Sequence, residues 1–394
     1  MSNVVVSVSA RTDIGRQRAG NEDALLVADL ASPEDCLDSG QTLHTVGERG
    51  TLLVVSDGMG GAAAGEIASE FAVTTVRDAL LELSVDVEVS DRLTLAAQSA
   101  NARIWNHAQE NPELTGMGAT LTAVLVQDAL AYIAQVGDSR AYLMRGEEIK
   151  QLTKDQSLAQ LLIEAGMVDS EQAARVPQNV IMQALGTQPE VRVTVTSVQL
   201  SSRDGLLVCS DGLSNKVADH EMLEAVRQSP DLGAACKRLV EMANERGGED
   251  NITVIIARFD GERLTEGDSI DGSVRAISED FFSEEAMSSI SGQMNAAAAP
   301  APAAEGASTT ITAPVVGPGE TESSLSSPAV ESETPEPGDP GESKPHPRSR
   351  MSYNAILFLA LISLLLLAVA GYLFWVYYLK QPAEPLPVNT TSQL

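Results

Sequence analysis

Leu52–Gly65 reads LLVVSDGMGGAAAG, and the rest of the chain is organised around it. Leu52, Leu53, Val54 and Val55 are too few for a helix, and their unbroken apolar character predicts a strand buried on both faces. That strand carries one carboxylate, Asp57, into a glycine-rich turn. Gly58, Gly60 and Gly61 let the backbone come close to a ligand because no Cβ stands in the way. Ala62 to Glu82 then reads as a helix. A dinucleotide-binding turn is the rival reading, since Gly58, Gly60 and Ala63 satisfy a G-x-G-x-x-A spacing after a strand. It fits poorly, because Asp78 falls inside the helical stretch and Asp57 would aim a negative charge at the pyrophosphate. A carboxylate beside glycines suits a hard cation, which takes oxygen ligands from side chains and backbone carbonyls alike.

Upstream, Met1–Ala10 alternates as a half-buried strand and lacks the basic start and long apolar core of a signal peptide, so it is expected to be mature structure. ARTDIGRQRAGNEDALLVAD follows, with Arg18 ahead of a compact Asn21-Glu22-Asp23 group and a further strand over Ala24–Ala28. Downstream of the first helix, a second is expected over Asp91–Gln109, and the two would cover one face of a sheet. Trp105 and His107 on that helix read as packing rather than chemistry. Gly118-Ala119-Thr120 then opens a β-meander, in which three short strands are separated by turns at Asp128-Ala129, Gly137-Asp138-Ser139 and Arg145-Gly146-Glu147. A short helix is expected within Asp155–Val168, closed by Gly166.

The device at Asp57 occurs again. Gly205–Cys209 is an apolar strand that ends in Ser210-Asp211-Gly212, as Leu52–Val55 ends in Ser56-Asp57-Gly58. Packing alone disfavours a carboxylate at the mouth of a core, so the recurrence points to function. Helices over Asp219–Gln228 and Leu232–Glu245 lead to Gly248-Glu249-Asp250-Asn251 and a strand over Ile252–Phe259. Three acids gathered in a poorly solvated site repel by roughly several kcal/mol, and a divalent cation is the natural counter-charge.

A formal net charge of -29 over 394 residues argues against nucleic acid as a partner, since phosphate backbones are bound through basic surfaces. Cys36, Cys209 and Cys236 show no regular spacing, which indicates neither a disulfide framework nor a thiolate zinc site. Residues 261–350, rich in Pro, Ala, Ser and Glu, read as a disordered acidic linker. Within it, a short helix is expected at Ser278–Ser289 with Phe281-Phe282 as a docking pair. Asn354–Leu379 is long and apolar enough to cross a bilayer, so residues 351–380 are expected to form a single transmembrane helix and 381–394 a short external tail. Lys344, Arg348 and Arg350 precede it and Lys380 follows, which places the N-terminal domain, residues 1–260, in the cytoplasm at the cell membrane.

In order and spacing, Arg18, Glu22-Asp23, Asp57-Gly58, Gly118-Ala119-Thr120, Gly137-Asp138-Ser139-Arg140, Ser210-Asp211-Gly212 and Gly248-Glu249-Asp250-Asn251 resemble the bacterial PP2C-like, or PPM, metal-dependent Ser/Thr protein phosphatases. The resemblance runs from about residue 7 to 259. It implies an α+β fold, an α-β-β-α four-layer sandwich of two antiparallel sheets flanked by helix pairs. It also implies two Mn²⁺ or Mg²⁺ ions: Asp57 bridges both, Asp211 and Asp250 complete one shell, Glu22 and the Gly58 carbonyl hold the other, and Asp23 orients it. Arg18 would grip the substrate phosphate. Asp138 matches an acid that helps hold a third ion in bacterial relatives, although Asn215 stands where some members place another acid. Met59 occupies the position of a histidine proposed as general acid in animal members. Ser170–Gly186 resembles the family's flap, with Gln156 and Val176 where histidines are common.

The function implied is hydrolysis of phosphoserine and phosphothreonine in proteins, opposing Ser/Thr kinases that include membrane-associated ones. A catalytically silent metal-binding sensor, or a hydrolase of other phosphate esters, are the alternatives on the same fold.

Overall fold

Every strand pairing in the computed structural model is antiparallel. The structure describes residues 4–32, 42–173, 175–177, 179–267 and 269–283. The first sheet is built from β1 (Val5–Asp13), β3 (Thr42–Thr45), β8 (Arg140–Arg145), β9 (Glu148–Gln151), β11 (Gly205–Cys209) and β12 (Ile252–Asp260), in the order β3-β1-β12-β11-β8-β9. The second contains β2 (Asp23–Asp29), β4 (Thr51–Met59), β6 (Leu121–Gln127), β7 (Leu130–Val136), β10 (Thr194–Gln199) and β13 (Val274–Ala276), in the order β13-β10-β7-β6-β4-β2, with the two-residue β5 (Gly118–Ala119) paired to β4.

The apolar run at Leu52–Val55 has a simple cause. Leu52 and Val54 face a core shared with helices α1 (Ala62–Glu82) and α2 (Val89–Glu110), whereas Leu53 and Val55 face a second core between the two sheets. Strand β12 behaves alike: Ile255, Ala257 and Phe259 enter the inter-sheet core, and Val254 and Ile256 enter a third core beneath α6 (Asp219–Gln228) and α7 (Leu232–Glu245). Sheets covered on both faces need strands apolar on both faces. The order of layers is therefore helix pair, sheet, sheet, helix pair.

Helix α1 has the expected bounds, and α2 is longer than expected by a residue or two at each end. His107 packs edge to face on Phe71 at 5.1 Å between ring centroids, in keeping with a packing role. The meander has four strands, β6 to β9, rather than three, because Gly146 at φ 59 turns the chain back into β9. The short helix predicted at Asp155–Val168 is α3 (Leu158–Glu164), capped where Ser157 Oγ accepts from the Gln160 N–H, and α4 (Ser170–Ala173) follows it.

The chain just past Asp260 differs from the expected linker. Leu264, Ile270 and Phe281 are buried, and β13 adds an edge strand beside β10. Sparse apolar residues gain burial here because β10 would otherwise expose an unpaired sheet edge. Of the helix expected at Ser278–Ser289, residues 278–283 are described, and there the chain forms a turn in which the Phe282 and Ser283 N–H groups donate to Asp280. Residues 284–350, the expected membrane span Asn354–Leu379 and the tail after it lie outside the described residues. Among the described residues, no helix is long and apolar enough to cross a membrane.

Candidate active site

The acids singled out in the sequence come from both sheets and meet at one rim. Asp23 opens β2 and stands directly opposite Asp57 of β4 in the antiparallel register. Asp138 occupies the turn between β7 and β8, Asp211 follows β11 as the first residue of α5 (Asp211–Ser214), and Asp250 precedes β12. Cross-strand partners lie about 5 Å apart at Cβ, and like charges so placed repel.

Asp57 is held by its backbone. Its N–H donates to Thr120 Oγ1 at 2.9 Å, and its carbonyl accepts from the Thr120 N–H at 2.8 Å. Thr120 Oγ1 is in turn 2.8 Å from Ser139 Oγ, which ties the Asp57 strand to the Asp138 turn. The Gly58 N–H donates to the Glu22 carbonyl at 3.1 Å. A Cβ on Gly58 would strike the Gly65 carbonyl, and one on Gly65 would strike Glu22 Oε2. Helix α1 thus lies against the Asp57 turn and Glu22 because both positions are glycine.

Asn251 fastens the loop bearing Arg18 and Glu22. Its Oδ1 accepts from the Glu22 N–H at 2.8 Å, and its Nδ2 donates to the carbonyls of Ile14 at 2.9 Å and Gly20 at 3.0 Å. Arg18 Nη2 donates to Asp250 Oδ2 at 2.8 Å. Asp23 Oδ2 accepts from Ser210 Oγ at 2.8 Å and Thr253 Oγ1 at 2.6 Å. Asn215 Nδ2 donates to Asp211 Oδ2 at 3.1 Å, so the amide that stands in place of an acid supports a proposed ligand. Beside Asp138, Arg140 forks onto Asp155 through Nε and Nη2, with a shortest distance of 2.6 Å.

The electrostatics follow from this crowding. Burial, then the neighbouring acids, push Asp23 up to about 7 against the pull of its two hydroxyl partners. Burial, then Asp211 and Asp155, push Asp138 up to about 8. Asp211 rises to about 6 through burial and Asp250, and Asp57 rises well above the usual carboxylate range through burial and then Asp23, Asp211 and Asp250. Burial raises Glu22 as well. Without a counter-charge these groups hold protons that solvated carboxylates release.

The donor set fits a hard divalent cation. It consists of carboxylate and carbonyl oxygens, and the buried Asp23 Oδ1 and Asp211 Oδ1 have no hydrogen-bond partner among the described residues. As they stand, no three His, Cys, Asp or Glu side chains among the described residues surround a single point.

Sequence reading singled out the acids but missed what holds them. The support from Asn251, Ser210, Thr253 and Asn215, and the close approach at Gly65, are contacts between distant segments. Only the neighbourhood of the S-D-G and E-D-N motifs signalled some of these residues. Gly65 carried no signal beyond its place in a glycine-rich stretch.

A family model described as protein phosphatase 2C matches residues 31–255. The chain is 38% identical over 258 residues to the serine/threonine protein phosphatase PstP of Mycobacterium tuberculosis, an alignment spanning 64% of this chain and 45% of PstP, so it spans about half the length of that relative. It is 36% identical over 254 residues to the serine/threonine phosphatase Stp of Listeria monocytogenes, spanning 64% of this chain and 94% of Stp. Among solved structures, the PstP catalytic domain in complex with two manganese ions superimposes with a TM-score of 0.54 at 35% identity, over 65% of this chain and 99% of that one.

Proposed function

The chain belongs to the protein phosphatase 2C family, and from that premise we propose that it is a Mn²⁺- or Mg²⁺-dependent protein serine/threonine phosphatase. One observation carries the reading: five acids, Asp23, Asp57, Asp138, Asp211 and Asp250, crowd one rim, the first four with raised proton affinities, and two of their buried oxygens have no partner among the described residues.

Asp57, Asp211 and Asp250, with Glu22 and the Gly58 carbonyl, would hold two ions, and Asp138 a third. When bound, such ions supply an activated water at neutral pH and counter-charge for the phosphoryl group. In the net reaction the water oxygen joins phosphorus, the ester P–O bond breaks, and a serine or threonine hydroxyl leaves with inorganic phosphate as co-product. Arg18, whose guanidinium matches a phosphate in shape, grips the substrate once it exchanges Asp250 for a phosphoryl oxygen. Asp23 acts from behind, oriented by Ser210 and Thr253. Asn251 keeps Arg18 and Glu22 in register with Asp250 by bonding both ends of their loop.

Asn354–Leu379 would tether the enzyme to a membrane with its catalytic domain on the cytoplasmic side, opposing Ser/Thr kinases there. The apolar composition of that stretch and the basic residues before it support this.

The test is turnover of a phosphothreonine peptide by the full chain with Mn²⁺. Asp57→Asn and Asp211→Asn should each lower kcat by at least about 10²-fold, the scale set by loss of one strong charge-stabilising group. Indifference to both would remove the reading. Calorimetric Mn²⁺ binding with no turnover would leave a silent metal sensor instead. Membrane fractionation of the intact chain against one lacking residues 351–394 tests the tether.

A further inference from the structure

At the far end of β11 from the acidic rim, the structure brings three arginines together in a chain whose net charge is -29. A groove of about 60 Å³ is walled by Leu223 and Val226 of α6 and Leu232 of α7, and rimmed by three arginines from separate elements. Arg203 comes from the turn between β10 and β11, Arg227 from the last turn of α6, and Arg258 from β12. Strand β11 runs from this groove to the site: Gly205 lines the groove, and Asp211 lies six positions on, roughly 20 Å away at 3.3 Å per residue.

The guanidiniums are available. Among the described residues, Arg203 and Arg258 have no side-chain hydrogen bond or ion pair. Among the described residues, Arg227 is held by Glu147 alone, at 3.1 Å, an exposed pair of little strength. Besides Glu147, the nearby carboxylates have partners of their own, Glu224 accepting from Gln228 Nε2 at 2.6 Å. Asp204 is fully buried against Arg145 at 2.7 Å, Asp231 caps α7 by accepting from the Ala234 N–H, and Asp260 accepts from Ser202 Oγ and the Gly261 N–H. Gly146 and Gly205 also line the groove. Exposed arginines around an apolar slot match a peptide that sets carboxylates or phosphates beside an apolar side chain.

We propose that this groove is a docking site for an acidic or multiply phosphorylated segment of the protein substrate, with an apolar residue seated between α6 and α7. It rests on the phosphatase reading and assigns that enzyme a second point of substrate contact. Docking there raises the local concentration of the scissile phosphate at the rim without touching the chemistry.

Two phosphothreonine peptides test it with the full, Mn²⁺-loaded chain: a short one, and one extended by about ten residues to a Leu flanked by aspartates and phosphoserine. The extended peptide should have a KM about tenfold lower at equal kcat. The advantage should vanish in Arg203→Gln/Arg258→Gln and return in part in the double Lys variant, with turnover of a small aryl phosphate unchanged throughout. Equal KM values in the wild type, or an advantage that survives the double Gln change, overturn the proposal. Fluorescence anisotropy of the labelled extension alone, without phosphothreonine, reads the groove even if no substrate is turned over. Wild-type binding lost in the Gln variant supports docking, and equal binding or none overturns it. Failure of turnover on every substrate counts against the phosphatase reading alone.

Discussion

Ser210 Oγ donates to Asp23 Oδ2 at 2.8 Å, which joins the strand end that presents Asp211 in one sheet to the first residue of β2 in the other. Thr253 Oγ1 completes the join at 2.6 Å, and behind it Thr12 and Asn21 continue a line of hydroxyl and amide contacts. The two sheets are thus pinned at the acidic rim by a buried carboxylate and two hydroxyls.

Removing that pin should be felt twice. Ser210→Ala combined with Thr253→Val leaves the Asp23 carboxyl without partners in a buried place, a loss of about 1–3 kcal/mol in stability by chemical denaturation. Mn²⁺ affinity should fall by about tenfold, as when a group supporting a metal ligand is lost. Calorimetry that finds unchanged affinity would confine the pair to a packing role.

Metal and protons should compete at the rim. In the metal-free fold Asp211, Asp23 and Asp138 hold protons up to about 6, 7 and 8, whereas in the unfolded chain they release them near 3.8. The folded state therefore binds more protons between these limits, and its stability falls as pH rises from about 4 through about 8. Bound Mn²⁺ takes the place of those protons, so its affinity rises over the same range. Thermal scans with chelator should show Tm falling with pH, and the increment given by Mn²⁺ should widen. An increment that is flat across the range would contradict the crowding.

Gly65→Ala separates helix stability from metal binding. In a helix, alanine is favoured over glycine by up to about 1 kcal/mol, yet the added Cβ would collide with Glu22 Oε2. A chain that stays folded by circular dichroism but binds Mn²⁺ at least about tenfold more weakly is the expected result. Wild-type affinity in the variant would show that Glu22 moves freely.

Gln156 joins the segment resembling a flap to the Asp138 turn. Fully buried, it accepts at Oε1 from the Gly137 N–H at 2.7 Å and from Gln183 at 3.0 Å, and its carbonyl accepts from the Met182 N–H at 2.7 Å. Gln156→Leu keeps the volume and strands the Gly137 N–H, which should cost about 1–3 kcal/mol. Hydrogen exchange should speed up at Gly137 and Met182 together. Acceleration at only one of them would mean that the two segments are not coupled through this residue.

Much of the frame was legible in the sequence because strands buried on both faces leave a plain mark. Leu52–Val55, Gly205–Cys209 and Ile252–Phe259 were readable as strands from composition alone, and each has an acid within two residues of one end. Local patterning failed where an element owes its existence to a partner. Strand β13 and buried Phe281 occur in a stretch of low apolar content, and they are held by the open edge of β10 and by Lys154, whose Nζ lies 2.6 Å from Asp280. Arg18 was expected to face a phosphate, and here it binds Asp250, since the nearest anion to a free guanidinium is a neighbouring carboxylate.

By itself the sequence determined the alternation of apolar strands and glycine turns, and with it the identity of the crowded acids, because burial and backbone freedom are written residue by residue. Only the tertiary structure decided what supports them: Asn251 on the Arg18 loop, Ser210 and Thr253 on Asp23, and Gly65 against Glu22. The arginine groove at the far end of β11 belongs to the same class. Contacts between residues scores or hundreds of positions apart depend on which strands pair and how the sheets stack, and no local pattern encodes that.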